Sequence, residues 1–247
     1  MDLSEARRRL AEARRVAVLT GAGISKPSGI STFRDAEGLW RSFNPLDYAT
    51  PEAYAKDPKK VWEWYAWRIA KVRQAEPNPA HYALARLEAD LLARGGDFLL
   101  VTQNVDGLHA RAGSQRVVEL HGNLLRARCE ACGRRFPLPE AFPIPPSCPA
   151  CGGRARPDVV WFGELLPEGA WEKALRAFSE ADFALVVGTS AEVEPAASLG
   201  RIAYAAGAYL VEVNPEPTPL TPLAHLALRL GAVEGLEALY PLSSAPG

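Results

Sequence analysis

The chain has four cysteines, and all of them lie in one short stretch as two Cys-x-x-Cys pairs separated by fifteen residues. Thiolates at this spacing are typical of a tetrahedral Zn²⁺ site in which two knuckles close on one metal ion. The predicted ligands are Cys129, Cys132, Cys148 and Cys151. Because four sulfur ligands leave no coordination position for water or a substrate, we expect one structural zinc ion that takes no part in a reaction. Two disulfides are the alternative, but paired knuckles in a chain that begins without a secretory signal favour the metal.

A second group of chemically capable side chains lies in the segment 102–109, where two amides, a carboxylate and an imidazole share one predicted loop. His121 follows shortly after, next to Gly122. Imidazole changes its charge near neutral pH, so a histidine in a glycine-flanked loop is a candidate general base. A histidine with a purely structural role is the alternative.

Two glycine-containing turns indicate a nucleotide site. Gly21 and Gly23 follow the first predicted strand, where the absence of side chains lets backbone amides approach a pyrophosphate. The third glycine of the dehydrogenase motif is replaced by Lys26, and no strand ending in an acidic residue follows about twenty residues later, so hydride transfer is disfavoured. Hydroxyl and amide side chains also follow two later strands, in the segment 188–190 and at Asn214. An ordinary turn explains each of these alone, but several such strand ends at one sheet edge favour a ligand.

These side chains require a sheet whose strands all end at the same edge. Short apolar runs are the predicted strands, at 15–20, 98–102, 183–188, 209–214 and 225–230. Helical patterns lie between most of them, for example at 79–94 and 168–179. Continuously apolar strands that alternate with helices predict an α/β fold with a parallel sheet covered on both faces. Ligands of such sheets bind at the carboxyl ends of the strands.

Two segments interrupt this alternation and predict a smaller lobe. Residues 37–78 are rich in aromatic side chains and look helical without a strand, and residues 126–157 carry the cysteines and a proline-rich link. We therefore predict a Rossmann-like domain formed by 1–36, 79–125 and 158–247. The helical insertion at 37–78 and the zinc ribbon at 126–157 form the smaller lobe.

Composition excludes several classes of protein. The chain has 247 residues, of which 48% are hydrophobic, and a formal net charge of −1. A nucleic-acid partner is not expected, because the excess of positive charge that such proteins show is missing. A membrane location is not expected either, because no uncharged apolar run is long enough to span a bilayer. We expect a cytoplasmic protein, and its oligomeric state stays open.

Taken in order and spacing, these residues match a known family: the chain resembles the sirtuins, which are NAD-dependent protein lysine deacylases. The matching segments are Gly21-Ala22-Gly23-Ile24-Ser25 with Ser28-Gly29-Ile30, Phe33-Arg34, Thr102-Gln103-Asn104-Val105-Asp106, Leu120-His121-Gly122, the four cysteines, Pro157-Asp158-Val159-Val160-Trp161-Phe162-Gly163-Glu164, Gly188-Thr189-Ser190 and Asn214. They extend over nearly the whole chain.

The resemblance implies NAD as co-substrate, with an acyl-lysine peptide lying in the cleft between the two lobes. His121 would act as the general base on the ribose hydroxyls, and the products would be nicotinamide, free lysine and O-acyl-ADP-ribose. The implied cofactor-binding residues are Gly21, Ala22, Gly23, Ser25, Phe33, Arg34, Trp40, Gln103, Asn104, Asp106, Gly188, Thr189, Ser190, Asn214 and Ala232. Val159, Val160 and Phe162 would bind the protein substrate, the two valines by backbone pairing with its extended peptide.

The helical insertion resembles that of class III sirtuins, which remove succinyl and malonyl groups. Tyr65 and Arg68 match the Tyr-x-x-Arg of that class, and Ala49 matches a small residue that leaves room for a longer acyl chain. Residues three apart share one face of a helix, so the phenol and the guanidinium are able to bind one carboxylate. The alternative is that Tyr65 is one more packed aromatic and Arg68 belongs to a solvated face.

Two other functions remain open. Protein ADP-ribosyltransfer uses the same cleavage of NAD with a different acceptor, and a non-catalytic zinc-ribbon module would only sense NAD. The presence of His121 argues against sensing, because sensing needs no base at the ribose.

Overall fold

A computed structural model describes residues 2–30 and 44–242 of the chain. The strands of its larger sheet are β1 (Arg15–Thr20), β2 (Asp97–Thr102), β3 (Val117–Glu119), β7 (Phe183–Val187), β8 (Tyr209–Val213) and β9 (Leu226–Leu228). These six strands are parallel and lie in the order β3-β2-β1-β7-β8-β9. The predicted α/β fold with a parallel sheet is therefore confirmed. Strand β3, whose three residues include the charged Glu119, was not predicted from the sequence.

Helices cover both faces of this sheet. They are α1 (Leu3–Glu12), α4 (Pro79–Ala93), α6 (Ala170–Glu180), α7 (Leu199–Ala205) and α8 (Ala232–Leu239), with the short α5 (Leu108–Arg111) after β2. Alternate residues of β1 enter opposite cores: Val16 and Val18 pack with α1, α4 and α8, whereas Ala17 and Leu19 pack with α6 and α7. Burial on both faces explains why these strands are apolar throughout.

A second, antiparallel sheet is formed by β4 (Gly122–Cys129), β5 (Arg135–Pro137) and β6 (Ala155–Val159), with β4 in the middle. It packs against α2 (Pro51–Lys56) and α3 (Pro58–Gln74). Strands β4 and β6 cross the predicted boundaries at 125/126 and 157/158, so the small sheet contains residues from both sides of each boundary. The division of the chain into three parts stays a prediction.

Capping residues determine where α3 and α4 begin. Asp57 accepts the backbone N–H of Lys60 at the start of α3, and Pro58 occupies the first helical position. Asn78 caps α4 in the same way, and the ring of His81 accepts the backbone N–H of Asn78 in return. Both helices therefore have fixed starting points beside the site described below. Within 2–30 and 44–242, no helix is long and apolar enough to cross a membrane.

Candidate active site

The loops after β1 and β7 meet at the carboxyl edge of the large sheet. Gly21 donates its N–H to Val187 at 3.0 Å, and Gly23 donates to Gly188 at 2.8 Å. A Cβ atom at Gly21 would lie 2.7 Å from the carbonyl oxygen of Gly188, and Gly188 itself has a φ of +68°. Glycine is required at these positions because the two loops pack backbone to backbone. Ala22, Thr189 and Ser190 lie in the same two loops.

The loop after β2 is tied to the loop after β1. Asn104 donates its side-chain N–H to the carbonyl of Gly21 at 2.9 Å, and the backbone N–H of Gln103 bonds the carbonyl of Thr20 at 3.0 Å. The Oε1 atom of Gln103 is buried and has no hydrogen-bond partner in the described part of the chain. A buried acceptor without a partner is costly, so it indicates a ligand or a water molecule at this point.

A buried chain of hydrogen bonds fixes Asp106. Ser25 donates to Oδ2 of Asp106 at 2.6 Å, and the backbone N–H of Leu108 donates to Oδ1 at 3.0 Å. Nε2 of His81 lies 3.3 Å from the Ser25 hydroxyl. Because Nδ1 of His81 accepts from Asn78, Nε2 carries the proton and donates it to Ser25. Burial raises the pKa of the Asp106 carboxyl.

His121 is half-buried at the start of the small sheet, and its Nδ1 lies 3.0 Å from the carbonyl oxygen of Gln103. A carbonyl oxygen only accepts, so Nδ1 carries the proton and Nε2 presents a lone pair. Burial lowers the pKa of His121, so the neutral ring predominates at neutral pH. The next residue, Gly122, has a φ of +86°, and a Cβ atom there would lie 2.1 Å from the carbonyl oxygen of Asp158. Only glycine fits at this position, because the backbone of β6 lies directly against it.

His109, the other histidine of the predicted loop, has different surroundings. It is 2% exposed, and its Nε2 lies 2.9 Å from the hydroxyl of Thr20. Burial lowers its pKa to about 3. Since the ring is enclosed in the core, it is a poorer candidate for proton transfer than His121.

The residues of the predicted acyl site lie together. Tyr65 is 1% exposed and accepts a hydrogen bond at 2.9 Å from Nε1 of Trp161. Arg68 is half-buried, and its guanidinium carbon lies 5.4 Å from the centre of the Tyr65 ring and 4.8 Å from the centre of the Trp64 ring. The carbonyl of Ala49 accepts the backbone N–H of Phe162 at 3.0 Å, which joins the segment before α2 to the segment that follows β6. Arg68 is thus not on a solvated face.

The three predicted peptide-binding residues differ in how far their groups are free to contact a substrate peptide. The backbone N–H of Val160 donates to the carbonyl of His121 at 2.9 Å, and the carbonyl of Val159 accepts from the guanidinium of Arg156 at 2.9 Å. Two of the backbone groups that a substrate peptide would pair with are therefore engaged within the protein. Phe162 is 53% exposed and Leu165, which the sequence analysis did not select, is 93% exposed. These two side chains offer exposed apolar surface.

The four predicted zinc ligands converge at one point. All four sulfur atoms lie within 4.8 Å of one another, with Cys129 and Cys151 3.5 Å apart and Cys132 and Cys148 3.7 Å apart. Tetrahedral Zn²⁺ with bonds of about 2.3 Å places its sulfur ligands roughly 3.8 Å apart. Backbone N–H groups also point at the sulfurs, for example Ala131 at 3.3 Å from Cys129. The cluster is consistent with structural zinc, which these four thiolates would hold.

The other five predicted cofactor-binding residues are Phe33, Arg34, Trp40, Asn214 and Ala232. Phe33, Arg34 and Trp40 lie outside the described residues. Ala232 is the first residue of α8 and is 4% exposed. Asn214 follows β8, and its side chain donates to the carbonyl of Glu216 at 2.8 Å.

Sequence reasoning missed His81 and Trp161, which contact Ser25 and Tyr65. For His81, a signal was present in the Asn-Pro helix start, because the third residue after such a cap often bonds back to it. Trp161 lies in one of the matching segments, but no local pattern shows its contact with Tyr65, which lies 96 residues away.

Comparison with known proteins agrees with this geometry. The sequence model of the Sir2 family matches residues 21–195. An NAD-dependent protein deacylase of Thermus thermophilus is 84% identical over 98% of this chain and 95% of that protein. A solved Sir2 homologue in complex with NAD is 48% identical, with a TM-score of 0.88 over 97% of this chain and 93% of that one. A solved Sir2 variant with a deacetylated p53 peptide and 3′-O-acetyl ADP ribose is 34% identical, with a TM-score of 0.84 over 97% of each chain.

Proposed function

This chain belongs to the Sir2 family and is an NAD-dependent protein deacylase, and we propose that it removes acetyl and also succinyl and malonyl groups from protein lysines. The observation that supports the acyl preference is the position of Arg68 beside Tyr65, with the guanidinium carbon 5.4 Å from the centre of the Tyr65 ring. A phenol and a guanidinium that face one site are complementary to a carboxylate. An acetyl group has no such carboxylate, so these two side chains distinguish the acyl classes.

The cleft residues fit NAD. The glycines bring the loops after β1 and β7 into backbone contact at the strand ends, and the Oε1 of Gln103, which has no partner among the described residues, offers an acceptor for a ribose hydroxyl or an amide. We propose that NAD is held by these groups together with Ala22, Ser25, Asn104, Asp106, Thr189, Ser190, Asn214 and Ala232. When bound, NAD supplies the anomeric carbon that the acyl oxygen attacks as nicotinamide leaves.

His121 supplies the base for this reaction. Its Nδ1–H bond to Gln103 leaves the Nε2 lone pair to take a proton from a ribose hydroxyl, and its lowered pKa keeps that lone pair free at neutral pH. The proposed products are nicotinamide, free lysine and O-acyl-ADP-ribose. The substrate is an acylated-lysine segment of a protein, lying against Val159, Val160 and Phe162. Reduced cysteines at the zinc site suit the cytoplasm, which is the proposed location.

The test uses one peptide sequence with either acetyl-lysine or succinyl-lysine. Arg68→Met is compared with the wild type and with Arg73→Met on the same helix, where the lost contact is to the carbonyl of Leu138. We expect Arg68→Met to lower kcat/KM for succinyl by at least tenfold and for acetyl by less than twofold. Arg73→Met should change both substrates alike. Equal losses on the two substrates in Arg68→Met would exclude the acidic acyl site. Detection of labelled protein instead of O-acyl-ADP-ribose would favour ADP-ribosyltransfer.

A further inference from the structure

Trp161 connects the predicted peptide-binding strand to the predicted acyl site. It is the second residue after β6 and is 3% exposed. Its indole N–H donates to the hydroxyl oxygen of Tyr65 at 2.9 Å. This bond joins residues that are 96 positions apart. Neither the reaction at His121 nor the binding of NAD makes use of it.

The bond determines which way the Tyr65 proton points. The hydroxyl oxygen of Tyr65 accepts the indole N–H of Trp161. Because this N–H occupies one side of the phenol oxygen, the O–H of Tyr65 points away from Trp161 and has to donate elsewhere. Among the hydrogen bonds formed within 2–30 and 44–242, none has this O–H as its donor. Burial raises the pKa of Tyr65, so the proton stays on the oxygen at neutral pH.

Trp161 itself is held on several sides. Its backbone N–H donates to Glu164 at 2.9 Å, and the guanidinium carbon of Arg156 lies 3.7 Å from the centre of its ring. The guanidinium of Arg156 donates two hydrogen bonds to the carboxylate of Glu164, each with an N–O distance of 2.8 Å. The centre of the Tyr54 ring lies 5.2 Å from the centre of the Trp161 ring. A side chain fixed in this way loses little conformational freedom when a substrate binds, which is what a positioning role requires.

From this geometry we infer that Trp161 is a positioning residue that determines acyl specificity. By occupying one acceptor position of Tyr65, it directs the phenol proton toward the terminal carboxylate of a succinyl or malonyl group. The inference rests on the proposed acyl preference. Acetyl-lysine ends in a methyl group and does not need the proton, so its turnover should not depend on the indole N–H.

Trp161→Phe tests this inference because it keeps an aromatic ring and removes the N–H. Trp62→Phe is a matched control, since Trp62 is fully buried in the same core and its N–H donates to the carbonyl of Ala155 at 3.0 Å. The assay is kcat and KM for acetyl and succinyl forms of one peptide, with calorimetric binding of the succinyl peptide as a second readout. We expect Trp161→Phe to lower kcat/KM for succinyl about tenfold, mainly through KM, as about 1.4 kcal/mol of lost bonding to a charged group predicts. Acetyl turnover should stay within twofold.

Other outcomes contradict the inference in separable ways. If Trp161→Phe lowers both activities alike, as Trp62→Phe should, then Trp161 only supports the fold. If Tyr65→Phe leaves succinyl turnover unchanged, the proposed acyl site itself is wrong and the role of Trp161 fails with it. Should Trp161→Phe not fold, 3-benzothienylalanine at position 161 provides the same shape without the N–H, and the same ratio of the two substrates decides.

Discussion

Replacing Glu212 with glutamine should destabilise the protein far more than a comparable surface change. The side chain of Glu212 is 0% exposed, and Arg229 donates to it at 3.2 Å. Thr221 donates to the same carboxylate at 2.6 Å, and Thr218 donates to its other oxygen. The carboxylate is therefore the centre of a network beneath the loop that carries Asn214.

The size of the effect follows from burial. Breaking a buried ion pair by removing one charge costs about 3–5 kcal/mol. Arg229 is 32% exposed, so water solvates part of its charge, and the new amide keeps some hydrogen bonds. We expect a loss of about 2–3 kcal/mol in the free energy of unfolding, which lowers Tm by about 4–12 °C for a chain of this size.

The measurement is urea unfolding together with a thermal melt. Glu180→Gln is the control, because Glu180 pairs with Arg15 at 4.0 Å and both side chains are more than half exposed. Such a pair contributes less than about 1 kcal/mol. Arg229 also donates to the carbonyl of Asn214 at 3.1 Å, so Glu212→Gln should weaken the binding of ADP-ribose as well. A loss no larger than that of Glu180→Gln would show that the buried network contributes nothing, and the reasoning would be wrong.

Three further predictions concern the base, the buried histidines and the metal. His121→Ala should abolish turnover while calorimetry still detects NAD binding, and normal turnover would overturn the assignment of the base. Because burial lowers the pKa of His81 from 6.5 to about 4, the unfolded chain binds more protons in that interval, and the free energy of unfolding should fall as the pH decreases from 6.5 toward 4. His81→Gln should show a shallower fall than the wild type, with some fall remaining because burial also lowers the pKa of His109, to about 3. The same pH dependence in both proteins would contradict the assignment to His81. Cys129→Ala should lose zinc, measured by atomic absorption, and unfold the small sheet, because the binding energy of a structural zinc is folding energy. A folded, active and zinc-free Cys129→Ala protein would refute the structural role.

Features that depend on local pattern were predictable from the sequence. The strands at 15–20 and 209–214 show in their apolar runs, and the zinc ligands show in their spacing, because both signals lie within a few residues. The parallel sheet followed from the alternation of strands and helices.

Features that depend on contacts between distant segments were not predictable. Ser25 and Asp106 are 81 residues apart, and no local pattern shows that they bond. The same holds for Trp161 and Tyr65. The engagement of Val160 with His121 also comes from the way β4 and β6 meet, and it removes a backbone group that the resemblance assigned to the substrate. Resemblance placed these residues near the cleft, but the tertiary packing decides which of their groups remain available.

One competition experiment tests the central proposal most directly. The wild-type protein is given NAD and equal concentrations of the acetyl and succinyl forms of one lysine peptide, and mass spectrometry follows both peptides and both O-acyl-ADP-ribose products. The position of Arg68 beside Tyr65 predicts that the succinyl peptide is consumed first and that Tyr65→Phe/Arg68→Met reverses the order. Consumption of the acetyl peptide first in the wild type, with the same order in the double variant, would contradict the proposed acyl site.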